Sequence, residues 1–380
     1  MDELNIWDLE RAHIKICEAF FRRIVNNIDL KFKSRRDFYD LTFDSKILQF
    51  STFRNFLKKS HASKFFIPLE FYFKIMEKLG ISEKELQSNI VSYKTAGGVN
   101  FIEKPILPIK ITPVFDMLLA HHIGDGTVIN PKKGRLPYFG YRQFNQFYRI
   151  AYVKKLESIF GKIHFNEENY FLKSTRPYCP PVLSTLFFKY YTLKIEDFLS
   201  DRARIPEIIF QNKERMLAVL IAFIIDEGNI DSTQINIRVK NRGLIGDLNK
   251  ICNALGYGSK ISYRKLEDSG IDSLYISRNG MKKFYSDYLV INKKYSVIDL
   301  GIKGDRIKKS FEIVNRKIKN IKGNDDLILN ILRLEPLAVN QLAFRLNMTR
   351  QGVRYHIHNL LKQGKIKIID NKSLNWIYGI

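Results

Sequence analysis

The sequence predicts an α+β protein built on a pseudo-twofold duplicated αββαββα core, with a helical segment before it and three helices with a β-hairpin after it. Three observations carry that expectation. An apolar helix running into GDG at Asp125 and a second running into DEG at Glu227 each end on an acid followed by glycine. After each comes the same succession of strand, strand, helix, hairpin and helix. Basic residues outnumber acidic ones, 63 to 39, and the excess is spread along the whole chain.

With 380 residues, 45% of them hydrophobic, the chain can bury the cores of two or three domains and is not compositionally disordered. A net charge of +24 calls for a polyanionic partner. Interleaved Tyr, Phe, Asn and Gln suit stacking and base-edge contacts, which a lipid surface would not need, so nucleic acid is the expected polyanion. Cys17, Cys179 and Cys252 are odd in number and far apart, which implies a reducing cytoplasm rather than a disulfide framework. The opening MDELNIWDLE is acidic and amphipathic, unlike a secretory signal. The longest apolar run, MLAVLIAFII, is about half the ~20 residues of a membrane span. The expectation is a prokaryotic cytoplasmic protein associated with the nucleoid, with no membrane partner.

Residues 1–104 show helical periodicity with few strand signals and are expected to form a helical domain, with a weak helix-turn-helix signal at STFRNFLKK. Ile67 and Pro68 open a helix there, Gly80 closes it and Ser82 caps the next. PILPIKITP, with three prolines, reads as a linker. The first copy occupies residues 105–203 and the second 204–303, with a basic linker over 304–324. Residues 325–380 then read as three helices and a hairpin, with Thr349 as N-cap of the third helix and Gly364 closing it, a winged helix-turn-helix pattern.

The chemistry lies at the ends of the paired helices. Ala120 and Gly124, and likewise Ala218 and Ala222, are small residues four apart on one helical face, so the two helices are expected to pack closely. Asp125 and Glu227 would then emerge side by side at two helix C-termini, where the dipoles repel negative charge unless a divalent cation neutralises it. The plainer reading of GDG and DEG is two ordinary turns. Their recurrence at matching ends of duplicated units argues for the metal.

These residues resemble the LAGLIDADG homing endonucleases in their single-chain, two-repeat form. LLAHHIGDG, 118–126, and LIAFIIDEG, 220–228, match the nine-residue motif, and the likeness extends over roughly residues 106–303. The resemblance implies a β-saddle on duplex DNA, Mg²⁺ or another divalent cation bound by Asp125 and Glu227, and polar residues beside each acid that position water. Gln143 and Lys240 match those last positions best, while Phe144 stands where a lysine is expected. His121 and His122 replace aliphatic residues, and Asp226 replaces a small one. His121 has the i, i+4 spacing of a zinc pair with Asp125, but no Cys or His completes such a site, and a hydrogen-bonded core histidine is the expected role. Asp226 either adds charge to the metal cluster or faces solvent.

In QINIRVKN, Ile235, Ile237 and Val239 alternate with Gln234, Asn236, Arg238 and Lys240, so one face packs on helices and the other offers amide and basic groups to a major groove. A solvated polar face is the alternative. Similar faces are expected at Arg142 and Gln143, at Lys173 and Arg176, and at Arg264 and Arg278. In the C-terminal helix, Arg350, Gln351, Arg354 and Tyr355 occupy the half of a recognition helix that touches bases and phosphates; a protein-docking role is the alternative. The sequence thus points to a monomeric, Mg²⁺-dependent, site-specific double-strand DNA endonuclease. A DNA-binding regulator that has lost cleavage and an RNA maturase are the competing readings. The residues of an intein junction are absent from both ends, which favours a free-standing protein.

Overall fold

The computed structural model describes residues 3–58, 65–130, 135–165, 177–198, 201–231, 234–264, 271–315, 323–346, 348–370 and 376–380, with backbone alone at 310–315. It mixes helices with small antiparallel sheets and divides into two compact units, Met1–Ile307 and Lys308–Ile380.

The first hundred residues, expected from the sequence to be helical with few strand signals, mix helices with short strands. They hold helices α1 (Glu18–Lys31), α2 (Arg35–Thr42), α3 (Phe50–Phe56), α4 (Leu69–Leu79) and α5 (Glu83–Ser88). Between them run β1 (Glu3–Leu4), β2 (Ala12–Ile16), β3 (Ile67–Pro68), β4 (Ile90–Thr95) and β5 (Phe101–Glu103). In β2 the residues Ala12, Ile14 and Ile16 are buried and His13 and Lys15 half-buried, a period of two too short to stand out among helical neighbours. Ile67 and Pro68 form β3 rather than a helical turn, and α4 starts one residue later. Gly80, at φ +70, closes α4, and the Ser82 side chain caps α5. The proline-rich stretch is not free either, because β6 (Ile109–Lys110) pairs with β1.

The segment expected to be the first copy comprises α6 (Pro113–Ile123), β7 (Gly126–Ile129), β8 (Tyr138–Tyr141), α7 (Gln146–Phe160), β9 (Lys162–His164) and α8 (Pro181–Tyr191). Most of its second hairpin lies outside the described residues. β9 pairs with β5, which joins this copy to a five-stranded sheet ordered β3-β2-β4-β5-β9. The segment expected to be the second copy runs α9 (Lys213–Glu227), β10 (Gly228–Ile230), β11 (Ile235–Val239), α10 (Arg242–Ala254), β12 (Ser259–Ser262), β13 (Asp272–Ile276) and α11 (Arg278–Lys294). Its sheet is ordered β10-β11-β13-β12. The segment expected to be a linker continues as α12 (Ile302–Asn315), seated by the fully buried Ile307.

At the centre of this unit α6 and α9 pack along their lengths. Residues 113–122 and 216–225 are all buried, including Leu118, Ala120, Ala218 and Ala222 at 1% exposure or less. A fully buried aliphatic or aromatic side chain contributes roughly 1.5–3 kcal/mol, so this pair is a large share of the core. At one end Arg215 of α9 donates to both carboxylate oxygens of Asp116 of α6, at 2.6 and 2.7 Å, and the Tyr191 hydroxyl donates to the same carboxylate at 2.6 Å. At the other end His121 meets Asp226. Since 116 faces 215 and 121 faces 226, the helices run parallel and end together.

The second unit contains α13 (Asn324–Leu334), β14 (Leu337–Ala338), α14 (Val339–Arg345), α15 (Arg350–Lys362), β15 (Lys367–Asp370) and β16 (Ile377–Gly379), with the sheet ordered β14-β16-β15. Ile328, Leu342, Val353, Ile357, Leu360 and Tyr378 form its core. Gly352 N–H donates to the Thr349 hydroxyl at 3.0 Å, which caps α15, and Gly364 takes φ +68 beyond its end.

Candidate active site

Each acid stands where a helix turns directly into a strand. α6 ends at Ile123, Gly124 caps it, Asp125 occupies the turn and β7 starts at Gly126; α9 ends at Glu227 and β10 starts at Gly228. Both glycines are sterically required. A Cβ on Gly126 would stand 2.0 Å from the His122 carbonyl oxygen, and one on Gly228 2.5 Å from that of Ile224. In each case the strand folds back over the carbonyl four residues earlier, which projects the preceding acid from the end of the helix pair.

Asp125 and Glu227 are partly buried, and both carboxyls are pushed up to about 7. Burial is the chief cause; for Glu227 the charge of Asp125 comes next, then that of Asp226, while for Asp125 the charge of Asp226 follows. The Gln143 amide donates to Asp125 Oδ2 and holds that carboxyl down in part, as do the charges of Lys303 and Arg142. Two acids at the ends of separate helices therefore share one electrostatic environment.

Asp226 neither faces solvent nor projects beside them. Its side chain is fully buried between the two helices, with His121 Nδ1 at 2.9 Å from Oδ2 and the Tyr141 hydroxyl donating to Oδ1 at 2.6 Å. The Asp125 backbone N–H donates to it as well. Burial pushes this carboxyl up to about 7, against the pull of Tyr141, Lys155 and Lys303. Burial keeps the His121 ring neutral, so with Asp226 ionised the Nδ1–H is the donor. His121 is thus a hydrogen-bonded core histidine, the role expected of it, and it faces Asp226 rather than Asp125. His122 is a core residue too, with Nε2 2.8 Å from the Tyr152 hydroxyl and its ring stacked on Phe139.

Two lysines that the sequence reading left unassigned supply the opposing charge. Lys155 of α7 is 2% exposed, and burial pushes its ammonium down to about 8. Its place was legible, since Tyr152, Leu156 and Ile159 mark the inward face of that helix. Lys303, near the start of α12, donates to the carbonyl oxygens of Ile224, Ile225 and Gly228 at 2.9, 2.6 and 2.7 Å. It caps the C-terminus of α9 and opposes its dipole. Nothing in IKGDRIKK signals that contact, which depends on how α12 returns to the core.

Gln143 and Lys240 do not hold matching positions. Gly126 lies opposite Tyr141 and Gly228 opposite Ile237, so Gln143 corresponds to Val239 and Phe144 to Lys240. Arg238 and Lys240 are exposed and, among the described residues, make no hydrogen bond or ion pair; with Glu227 they line a cavity of about 280 Å³. Arg142 is exposed, with its guanidinium 5.2 Å from the Phe144 ring centre.

The other expected DNA contacts divide. Asn236, at 7% exposure, is buried in the sheet rather than offered to a groove, because β10 and β13 flank it. Gln234 is half-buried just before β11. Arg264 is exposed, but it follows β12 and its N–H donates to Asp272. Arg278 is the first residue of α11, not a strand residue, because Ser277 ends the strand by capping that helix. Lys173 and Arg176 lie outside the described residues. Arg350, Gln351, Arg354 and Tyr355 are all exposed on α15.

The donor set fits a hard cation. Carboxylate oxygens suit Mg²⁺, which keeps several waters and takes one or two carboxylates together with substrate phosphates. Among the described residues no group of three or more His, Cys, Asp or Glu side chains is arranged to enclose a metal, so an all-protein cage of the structural zinc kind is not built there.

No protein-family model matches the chain, and no curated protein sequence matches it. Among solved structures it is similar to that of I-DmoI in complex with DNA and Ca, at 16% identity over 52% of this chain and 97% of that one, with a TM-score of 0.35. Mesophilic variants of the homing endonuclease I-DmoI match at 18% identity over 46% of this chain and 94% of theirs, with a TM-score of 0.33. Full-length DUF199/WhiA from Thermatoga maritima matches at 12% identity over 67% of this chain and 91% of its own, with a TM-score of 0.27. At such scores these likenesses carry no weight for the chemistry, which rests on the two acids and their surroundings. Among the described residues no helix is long and apolar enough to cross a membrane.

Proposed function

We propose that the chain is a divalent-cation-dependent, site-specific DNA endonuclease of the two-repeat LAGLIDADG type. The observation that carries this reading is the pair Asp125 and Glu227, projected from the common end of two parallel helices and close enough for the charge of one to raise the proton affinity of the other. Helix C-termini disfavour acids, yet the sequence places one at each. A bound Mg²⁺ held by these two carboxylates would supply the neutralising charge, activate water and stabilise charge on the phosphate.

The chain's own residues do the remaining work. Gln143 orients the Asp125 carboxylate, and Lys303 fixes the end of α9 from which Glu227 projects. Arg238 and Lys240, exposed in the cavity beside Glu227, are placed to pair with phosphate oxygens. In the second unit Thr349 sets the start of α15, whose Arg350, Gln351, Arg354 and Tyr355 act as the recognition surface of a winged helix. Added phosphate contacts there raise affinity through counterion release. The active species is a monomer, since both acids come from one chain.

Incubation with a plasmid library and Mg²⁺, beside the Asp125→Asn/Glu227→Gln variant, tests the proposal. Sequence-specific double-strand cuts that the variant fails to make support it. Equal, sequence-specific binding by both proteins with no cuts from either would instead establish a DNA-binding regulator, the reading favoured by Phe144 at the position matching Lys240. A preference for structured intron RNA over duplex DNA would point to a maturase.

A further inference from the structure

We propose that the five-stranded sheet β3-β2-β4-β5-β9 is a separate nucleic-acid surface, one that takes an unpaired strand and stacks its bases on a line of rings. The proposal goes beyond the reading above and does not depend on cleavage, since four of the five strands precede α6. Register assembles the face. His13 lies opposite Pro68 and Lys94, Lys94 opposite Phe101, and Phe101 opposite His164, so these residues form one row across the sheet. Two residues further along each strand, Lys15, Ser92, Glu103 and Lys162 form a second row on the same side. The row between them, Ile14, Tyr93, Ile102 and Ile163, is 4% exposed or less and packs the opposite side of the sheet into the core.

The rings on this face touch one another. Phe101 and His164 stack with their centres 4.6 Å apart and their planes 24° apart, and Phe66, just before β3, stands 5.6 Å from Phe101. Lys15 and Lys94 hold their ammonium groups over the Phe66 ring, at 4.5 and 4.9 Å from its centre. His13 hydrogen-bonds to the Phe66 backbone, which ties the segment carrying this ring to the sheet. Phe66 and Phe101 are half-buried, while His164 and Lys162 are exposed. A phenylalanine on the outward side of a sheet leaves apolar area in water, and the flat face of a base covers such area while its phosphate meets an ammonium. Lys15, Lys94 and Lys162 outnumber the acids on or beside the face, Glu103 and Glu70. Lys94 donates to the Gly98 carbonyl at 2.9 Å and keeps donors to spare for a phosphate oxygen. Duplex DNA fits poorly, because its bases are stacked on one another and present only their edges. The three rings have room for about two or three bases of a single strand. They do not choose between DNA and RNA, so two arms of the test do.

The test measures fluorescence anisotropy of short labelled oligo(dT) and oligo(U) with the full chain in EDTA, where no strand is cut, and with saturating unlabelled duplex present. At least one of the two should still bind, the one that does naming the source, and iodouracil placed in it should photocross-link to a peptide containing Phe101 or His164. A base stacked on an aromatic side chain is worth roughly five- to a hundredfold in affinity. Phe101→Leu, which keeps the apolar bulk but not the ring, should therefore weaken single-strand binding about tenfold and leave duplex binding as it was, and Phe101→Tyr should restore most of the loss. Lys162→Gln should lower the slope of log affinity against log salt by about 0.7, the share of one phosphate contact on a single strand. Unchanged binding in a folded Phe101→Leu protein, displacement of both strands by duplex, or cross-links confined to other peptides would overturn the proposal. So would a dimer that Phe101→Leu dissolves in a protein that binds no single strand, which would show that the face pairs two copies. Asp125 and Glu227 are untouched in every arm, so the nuclease reading stands or falls separately.

Discussion

Asp226 Oδ2 lies 2.9 Å from His121 Nδ1 across the α6–α9 interface, and neither side chain is more than 1% exposed. Both lie in an interface whose other buried residues are mostly apolar, so the pair is kept against a desolvation cost and fixes how the two helices meet. A Cβ on Gly124 would come within 3.0 Å of the same carboxylate oxygen, which shows how closely the backbones approach at this point.

Removing that carboxylate should be costly. Asp226→Ala strips the Tyr141 hydroxyl and the His121 ring of their acceptor and removes the charge facing Lys155. Breaking a buried ionic contact on one side typically costs ~3–5 kcal/mol. Asp226→Asn, which keeps an acceptor for Tyr141, should lose less. Urea unfolding of the three proteins measures this, and an Asp226→Ala variant within about 1 kcal/mol of the parent would show that the network does not stabilise the pair.

A pH dependence follows from the acids. Asp125, Asp226 and Glu227 are pushed up to about 7 from ordinary values of 3.8 for aspartate and 4.5 for glutamate, with burial the first cause in all three. Between about pH 4 and about pH 7 the folded chain therefore holds more protons than the unfolded chain, and its stability falls as pH rises through that window. The favourable contribution is complete below the unfolded values and lost above the folded ones. Between about pH 5.5 and about pH 7.5 the urea midpoint of the parent should drop further than that of Asp226→Asn. Equal drops in the two proteins would contradict the raised affinity at position 226.

The capping lysine admits its own test. Lys303→Met keeps the apolar stem but loses three hydrogen bonds to α9 carbonyls and the charge opposing the dipole. Hydrogen bonds from a charged donor contribute roughly 1.5–3 kcal/mol, and solvent at this half-buried site lowers the net effect. The variant should unfold about 1–3 kcal/mol more easily, with Lys303→Arg recovering part of the loss. Amide hydrogen exchange of Ile225 to Gly228 should quicken in Lys303→Met; an unchanged rate there would mean that the helix end is held by other contacts.

Parts of this arrangement were legible in the sequence because they are local. Apolar runs of helical length, an acid at the end of each and glycine next all lie within a few residues of one another. The same holds for Ser82, Thr349 and Gly364. What escaped depends on long-range pairing. The strands of residues 1–104 are two to six residues long and pair across long stretches of chain, β2 with β4 inside the segment, and β1 with β6 and β5 with β9 beyond it. Asn236 lies on the polar side of its strand by alternation, but the strands on either side bury it. For Asp226 the sequence left open an added charge in the acidic cluster or a solvent-facing side chain, and only the parallel meeting of α6 and α9 turns it inward to His121 and Tyr141, where its charge still acts on both acids.

The two motif glycines give the sharpest local prediction. Gly126→Ala and Gly228→Ala would each drive a methyl group into a carbonyl of the preceding helical turn, at 2.0 and 2.5 Å, and the atoms met are helix backbone rather than the end of a movable side chain. The strand must then swing away from the helix, carrying Asp125 or Glu227 with it. Overpacking of this kind costs about 1–3 kcal/mol when neighbours can yield, and these cannot, so each variant should lose at least that much stability together with cleavage. Gly246 is the control, since it lies inside α10 with nothing within 4 Å of a Cβ. There alanine should add about 0.5–1 kcal/mol through helix propensity and leave cleavage as it was. Thermal unfolding of the three variants decides the matter: a Gly126→Ala protein melting at the parent temperature would mean that the helix-to-strand turn has room the geometry denies it.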